Sequence, residues 1–254
     1  MSWYDDNYNH RRPLSIIVGS TTPTDVTIAM SADDEQFWAG IQSDCDDIRV
    51  CDADGRTLET YDIASFDYAN RVLTVEVDNA AFAVSKVNVL WIYFGYSSAT
   101  AANTTFSPSS PVTGYADFEV PDPAYIVPFA PERAGATIPQ PKIAKAADEV
   151  IWVYFDIEAA MMRRDVAYES SPLYEEPSSW TFGVYNSGGS VQAAMVTQVN
   201  ERLIECNGRR YIRCEVKAGS SGSDYTGRLD LTTSKGRVLQ ANCLIQVRTP
   251  TSAG

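Results

Sequence analysis

Short runs in which apolar residues recur at every second position dominate the chain. Val72-Leu-Thr-Val-Glu-Val77 alternates in this way, the period-2 pattern of a strand with one face in a core and the other in water. Leu14–Val18 and Val26–Met30 read as strands separated by the Gly19–Pro23 turn. Ile48–Cys51 runs into Asp52-Ala-Asp-Gly55, a turn between strands, and Thr57 to Ile63 leads out of it. Val87-Asn-Val-Leu-Trp-Ile-Tyr-Phe94 is apolar at nearly every position, so it is expected to be buried on both faces.

The second half repeats the style. Val150–Phe155, Trp180–Tyr185 and Gln192–Val199 are apolar-rich runs bounded by turn residues. Arg202–Cys206, Asn207-Gly208 and Arg209–Val216 predict a hairpin, because Asn-Gly supplies the positive φ angles of a two-residue type I′ turn. Asp224 to Thr233, the Ser234–Arg237 tip and Val238 to Val247 predict a second one. Only Glu158–Arg164 looks helical, over about two turns.

Eight of the thirteen prolines fall between Pro108 and Pro141. A stretch so rich in proline resists both helix and central strand, and predicts an extended arm draped over one domain or over a neighbouring subunit. The expected organisation is an all-β chain of two β-sandwich domains, residues 1–104 and 148–254, joined by a Pro-rich connector over 105–147.

Composition agrees with a folded chain: 44% of the 254 residues are apolar and 21% charged. Charge divides it unevenly. Residues 1–100 carry 16 acids against 6 Lys and Arg, net −10, whereas residues 148–254 carry 13 against 11, net −2. The acidic first half should repel nucleic acid and anionic membrane, so neither is expected as a partner. Five cysteines, Cys45, Cys51, Cys206, Cys214 and Cys243, show neither paired nor metal-binding spacing and are expected as thiols. The start, Met-Ser-Trp-Tyr-Asp-Asp, has no basic and then apolar leader, and no apolar run is of membrane-spanning length, which predicts synthesis in a cytoplasm without signal-dependent export.

Candidate chemistry is sparse. His10 is the one histidine, so any Ser-His-Asp or Cys-His arrangement must use it, and no Ser or Cys lies in a nucleophile motif. Asp44, Asp46, Asp47, Asp52 and Asp54 offer oxygen ligands for calcium, but the Asp-x-Asp-Gly fragment lacks the third acidic position and distal Glu of an EF-hand loop. Asp and Gly also build hairpin turns with no ion, and that is the expectation here. Glu169, Glu175 and Glu176 could pair for glycoside hydrolysis only at a separation that sequence does not reveal. No Walker-type Gly-Lys-Ser/Thr occurs. The chain is expected to be non-enzymatic and to use no cofactor or metal.

Two resemblances add an address. Trp3, Arg11-Arg12-Pro13-Leu-Ser-Ile16, Phe37-Trp38, Asp47–Val50, Asp52–Gly55, Tyr61–Phe66 and Leu90–Gly95 resemble a family of β-sandwich domains of unknown function found in bacterial surface and phage structural proteins. That likeness spans most of residues 1–100 and implies a jelly-roll fold similar to carbohydrate-binding modules. The family usually has Asn after the glycine, and here Tyr96 follows Gly95. Ala218 to Leu239, ending in Ile245–Arg248, looks like the closing hairpin of immunoglobulin-like domains in phage adaptor and decoration proteins.

Together the resemblances imply a tailed-bacteriophage virion protein on the outer surface of the particle, a head decoration or minor capsid protein or a tail-associated adaptor. Its partners would be other virion proteins and further copies of itself as a homo-oligomer, docked through the second domain and the connector with the acidic first domain outward. The alternative is a carbohydrate-binding module attaching to host-surface glycans. For that alternative Trp3 and Trp38, beside polar and acidic residues, are the candidate sugar platforms, whereas Trp91, Trp152 and Trp180 lie in apolar strands and are expected in a core. Arg209 and Arg210, at the tip of the Asn-Gly hairpin, are the candidate docking surface.

Overall fold

A computed structural model describes residues 4–19, 25–78, 82–104, 112–116, 121–129, 140–163, 173–206 and 209–248. The first part of the chain contributes β1 (His10–Val18), β2 (Asp25–Met30), α1 (Glu35–Gly40), β3 (Arg49–Cys51), β4 (Thr60–Asp67), β5 (Val72–Asp78) and β6 (Lys86–Phe94). β7 (Val112–Ala116), β8 (Ile126–Pro128) and β9 (Lys142–Ala146) come from the Pro-rich stretch. Then follow β10 (Ile151–Asp156), α2 (Glu158–Met161), β11 (Met162–Arg163), β12 (Leu173–Tyr174), β13 (Pro177–Tyr185), β14 (Arg202–Cys206), β15 (Arg209–Val216), β16 (Asp224–Thr233) and β17 (Val238–Arg248). The chain is mostly β-sheet, as its periodicity predicts.

Among the described residues the strands form an eleven-stranded sheet in the order β4-β5-β2-β7-β1-β6-β13-β16-β17-β9, with β3 also on β6. A second sheet has the order β14-β15-β10-β8, and β11 pairs with β12. The decisive element is β6. Every residue from Val87 to Phe94 is buried, and the two faces serve different cores. Val87, Val89, Trp91 and Tyr93 join a core with β13, β16, β17 and the second sheet, among them Phe155, Trp180, Ile212 and Leu231. Leu90, Ile92 and Phe94 join the other, with Leu14, Ile28, Phe37, Trp38 and Val75. A strand that walls two cores must be apolar at successive positions, which accounts for its sequence.

The edges of β6 follow the same logic. One edge pairs with β1 along nine residues, His10↔Phe94 to Val18↔Lys86. The other is shared: β3 takes Trp91 to Tyr93, and β13 takes only Val87 and Asn88, through Trp180 and Ser179. The expectation of two separate sandwiches therefore meets one sheet that runs across both halves. The boundary drawn at residues 105–147 interrupts the composition of the chain without interrupting its hydrogen-bonded sheet.

The connector is correspondingly less of an arm than its prolines predict. β7 lies inside the sheet, parallel to β2 over five residue pairs and antiparallel to β1 over two. β8 adds parallel to β10, and β9 adds parallel to β17. Proline does not prevent this, because the prolines flank β7 and β9, and Pro128 ends the edge strand β8, where a missing N–H costs nothing. Buried Lys145 ties β9 down, its Nζ donating to the carbonyls of Ala146 and Ala218 at 2.5 and 2.6 Å.

Other differences are local. α1 escapes the sequence pattern because it is six residues long and buries only the adjacent Phe37 and Trp38; it is started by Asp34, whose carboxylate accepts from Phe37 N. Gln192–Val199, expected as a strand, instead holds two 3₁₀ turns at Ala193–Met195 and Gln198–Asn200. The helix expected over Glu158–Arg164 ends at Met161, after which Met162 and Arg163 pair with β12. Both expected hairpins form. The first sets Cys206 opposite Arg209, as a two-residue loop requires. The second is shifted by one residue, Thr232 opposite Val238, because Thr233 N donates to the Arg237 carbonyl and shortens the expected Ser234–Arg237 tip.

Gly114 shows how tight the β7 slot is. A Cβ there would lie 2.7 Å from Ile28 Cγ1 and 3.1 Å from Val26 Cγ1. Gly114→Ala gains at most about 1 kcal/mol from a stiffer unfolded chain but overpacks the slot at a cost of ~1–3 kcal/mol. Urea unfolding should show a net loss of stability; an unchanged or higher midpoint would mean that the slot has room.

Candidate functional site

The most organised polar chemistry lies at the junction of the halves. β1 enters the sheet with Arg11 and Arg12, both buried. Arg11 lies 4.0 Å above the centroid of the Trp91 ring. Its Nη1 donates to Glu176 Oε1 at 3.2 Å, and its Nε is 3.3 Å from Glu205 Oε2, a charge contact without hydrogen-bond geometry. Glu176 is shared, since its Oε2 accepts from Arg210 Nη1 at 2.5 Å. Arg210 also grips Glu158 with two bonds, Nε to Oε2 at 2.8 Å and Nη2 to Oε1 at 3.0 Å. Arg237 Nε donates to Glu175 Oε2 at 2.8 Å, and its Nη2 to the Ala160 carbonyl at 3.0 Å.

These groups tie β1 to β14, β15, α2 and Glu176 at the entrance to β13. Burial opposes the charge of Arg210, but Glu176 and the doubly bonded Glu158 overcome it and hold the guanidinium above its ordinary pKa. Arg11 is raised in the same way, burial being overcome by Glu176 and Glu205. Burial pushes Glu205 up, against the pull of Arg11 and Arg210. Bonded to guanidinium groups, Glu158 and Glu176 act as struts across the junction. Arg12 makes a second strut, donating to both oxygens of Asp34 at 3.0 and 3.3 Å, so one carboxylate both starts α1 and anchors it to β1.

The candidate residues from sequence fare differently. Trp3 lies outside the described residues. Trp38 is 3% exposed, with its indole N–H donated to the Ser31 carbonyl at 2.8 Å and its ring edge-on to Phe37; it offers no open face to a sugar, which corrects its assignment as a platform. Trp91 and Trp180 are in the core, and Trp152 is half-buried under Arg213, 4.4 Å from its ring centroid. Arg209 is exposed at the hairpin tip and paired with Asp156. Arg210 is 0% exposed and belongs to the ion-pair network, so it is not part of a docking surface. Successive strand residues point to opposite faces, and the tip therefore presents one arginine and buries the other.

His10 stacks on Phe94 at 5.2 Å between ring centroids, and burial, then Arg12, lower its pKa. The aspartates do turn-building work: Asp47 accepts from Gln42 N at 3.0 Å and Gly95 N at 2.6 Å. Asp54 accepts from Arg56 N at 2.7 Å and from Thr57 N and Oγ1, each at 2.8 Å. Among the described residues no group of three or more His, Cys, Asp or Glu is placed to hold a metal ion. Glu175 and Glu176 are committed to arginines, and Glu169 lies outside the described residues. All five cysteines are free and buried, and burial pushes Cys45 and Cys243 up to about 12.

No protein-family model matches the chain. Nor is any curated protein significantly similar to it in sequence. Among the described residues no helix is long and apolar enough to cross a membrane.

Two outcomes follow from burial. Arg210→Met strands Glu158 without its cation, leaves Glu176 to Arg11 alone, and should cost ~3–5 kcal/mol. Arg209→Ala removes an exposed pair and should change stability by less than about 1 kcal/mol. Denaturant unfolding of the two variants checks the contrast, and equal effects would contradict the placement of Arg210. Thiol titration should find the native protein almost unreactive at neutral pH and five thiols after denaturation; fewer than five in unreduced, denatured protein would reveal a disulfide.

Proposed function

We propose that the chain is a non-enzymatic structural protein of a tailed-bacteriophage particle, carried on the outer surface of the head or tail. The observation that carries this is the run of residues from Trp3 and Arg11-Arg12-Pro13 to Leu90–Gly95 that resembles phage and bacterial-surface β-sandwich domains. On this view residues 1–104 form a unit similar to carbohydrate-binding modules and residues 148–254 an immunoglobulin-like unit, fused along β6. Rigidity supports it: one sheet spans both halves, the Pro-rich stretch supplies strands to it, and the junction is fixed by buried ion pairs. A particle component that displays an acidic face needs such a frame more than it needs a moving site.

The second half and connector remain the docking side, with Arg209 and not Arg210 at the hairpin tip available to a virion partner, and further copies of the chain are its expected neighbours on the particle. The glycan-binding alternative is weaker with Trp38 buried.

The test is co-sedimentation of the full chain with purified particles, because deleting either half would cut the shared sheet. Saturable binding at a fixed copy number per particle is expected, weakened by Arg209→Glu. Absence of the protein from particles, with binding to a glycan array instead, would contradict the proposal.

A further inference from the structure

We propose that Glu201 is a proton-dependent latch on the joint between the two halves of the sheet: the protonated side chain holds Trp180 in place, and its ionisation loosens the joint. The inference concerns this chain alone and is independent of where the protein is carried.

The joint is narrow. β13 meets β6 through two residue pairs, and Trp180 opposite Val87 is one of them. Trp180 is fully buried and donates its indole N–H to Glu201 Oε2 at 2.8 Å. Glu201 is 0% exposed, follows the 3₁₀ turn at Gln198–Asn200, and is fixed by its own N–H, which donates to the Gln198 carbonyl at 3.0 Å. Its second oxygen, Oε1, has no hydrogen-bond partner. A carboxylate with one unserved oxygen in an apolar core is costly, whereas a neutral acid there is tolerable.

The groups around Glu201 do not remove that cost. Arg202 donates to the carbonyls of Val199 and Glu201, both at 2.8 Å. Arg213 donates to the Asn200 carbonyl at 3.2 Å, and Glu215 accepts from Asn200 Nδ2 at 2.7 Å. The Cys214 and Cys243 thiols nearby are themselves buried and held protonated. Burial pushes the Glu201 carboxyl up to about 8, against the Trp180 N–H and the charge of Arg202. Because the folded value lies above the ordinary 4.5, the stability this group confers is complete below about pH 4.5 and is lost as pH rises through about 8. Ionisation strengthens the indole bond itself but leaves Oε1 charged and unserved, so the group must draw in water or move, and Trp180 moves with it.

The experiment uses the full chain labelled with fluorotryptophan, in which Trp180 is assigned among the five tryptophans by Trp180→Phe. Fluorine NMR from about pH 6 to about pH 9 should show the Trp180 resonance shifting with a one-proton midpoint near 8, while that of Trp38 in the other core stays still. Glu201→Gln keeps an acceptor for the indole and should abolish the shift. No shift in the wild type, or the same shift in the variant, overturns the proposal. Should the variant not fold, infrared spectra of chain carrying isotope-labelled glutamate decide. They are recorded on Glu59→Gln, because burial and its acidic neighbours push Glu59 up to about 7. A protonated glutamate band lost at the same midpoint as the Trp180 shift supports the latch, and its absence near pH 7 overturns it.

Discussion

Burial of β6 on both faces is the constraint from which the rest of the architecture follows. A strand whose odd-numbered residues enter one core and whose even-numbered residues from Leu90 onward enter another cannot be exposed on either side without losing a core. Its apolar burial contributes heavily to stability, since each large side chain removed from water is worth about 1.5–3 kcal/mol. Nine residue pairs with β1 fix it in the first half, and the short contact with β13 carries the sheet into the second.

The ion-pair network makes sense against that short contact. Two residue pairs of sheet are a weak specification of register, because little is lost if the strands slide. Buried guanidinium–carboxylate pairs add little net stability in the right arrangement but penalise heavily any arrangement that leaves one partner alone. Arg11 is the pivot: it covers Trp91 on β6 and reaches Glu176 just before β13 and Glu205 on β14. A slip of the second half against β1 would break these contacts together. Ser15 adds to them, its hydroxyl accepting from Leu203 N at 3.0 Å.

The strands themselves were legible in the sequence wherever period-2 alternation or a two-faced apolar run was long enough, as in Leu73–Val77 and Val87–Phe94. The hairpin at Arg202–Val216 was legible from two residues, Asn-Gly. What was hidden depends on partners distant in sequence. Arg11 and Glu176 lie 165 residues apart, so nothing local marks either as half of a buried pair. β7 looked like connector because its neighbours are Pro, Ser and Gly, yet a glycine is what the slot between Ile28 and Ile16 requires. Arg210 was misread because proximity to a hairpin tip suggests exposure, although strand alternation admits one buried residue of each adjacent pair. The 3₁₀ turns in Gln192–Val199 were missed because a short apolar run does not separate strand from turn when its partners are unknown.

A sheet shared across β6 and β13 should make both halves unfold as one body, and equilibrium unfolding of the full chain in urea tests this most directly. Fluorotryptophan reporters at Trp38 in the first core and Trp180 in the second should lose their native signals in one coincident transition, as two-state unfolding requires. Two separated transitions, one for each reporter, would show that the sheet across β6 and β13 does not couple the halves.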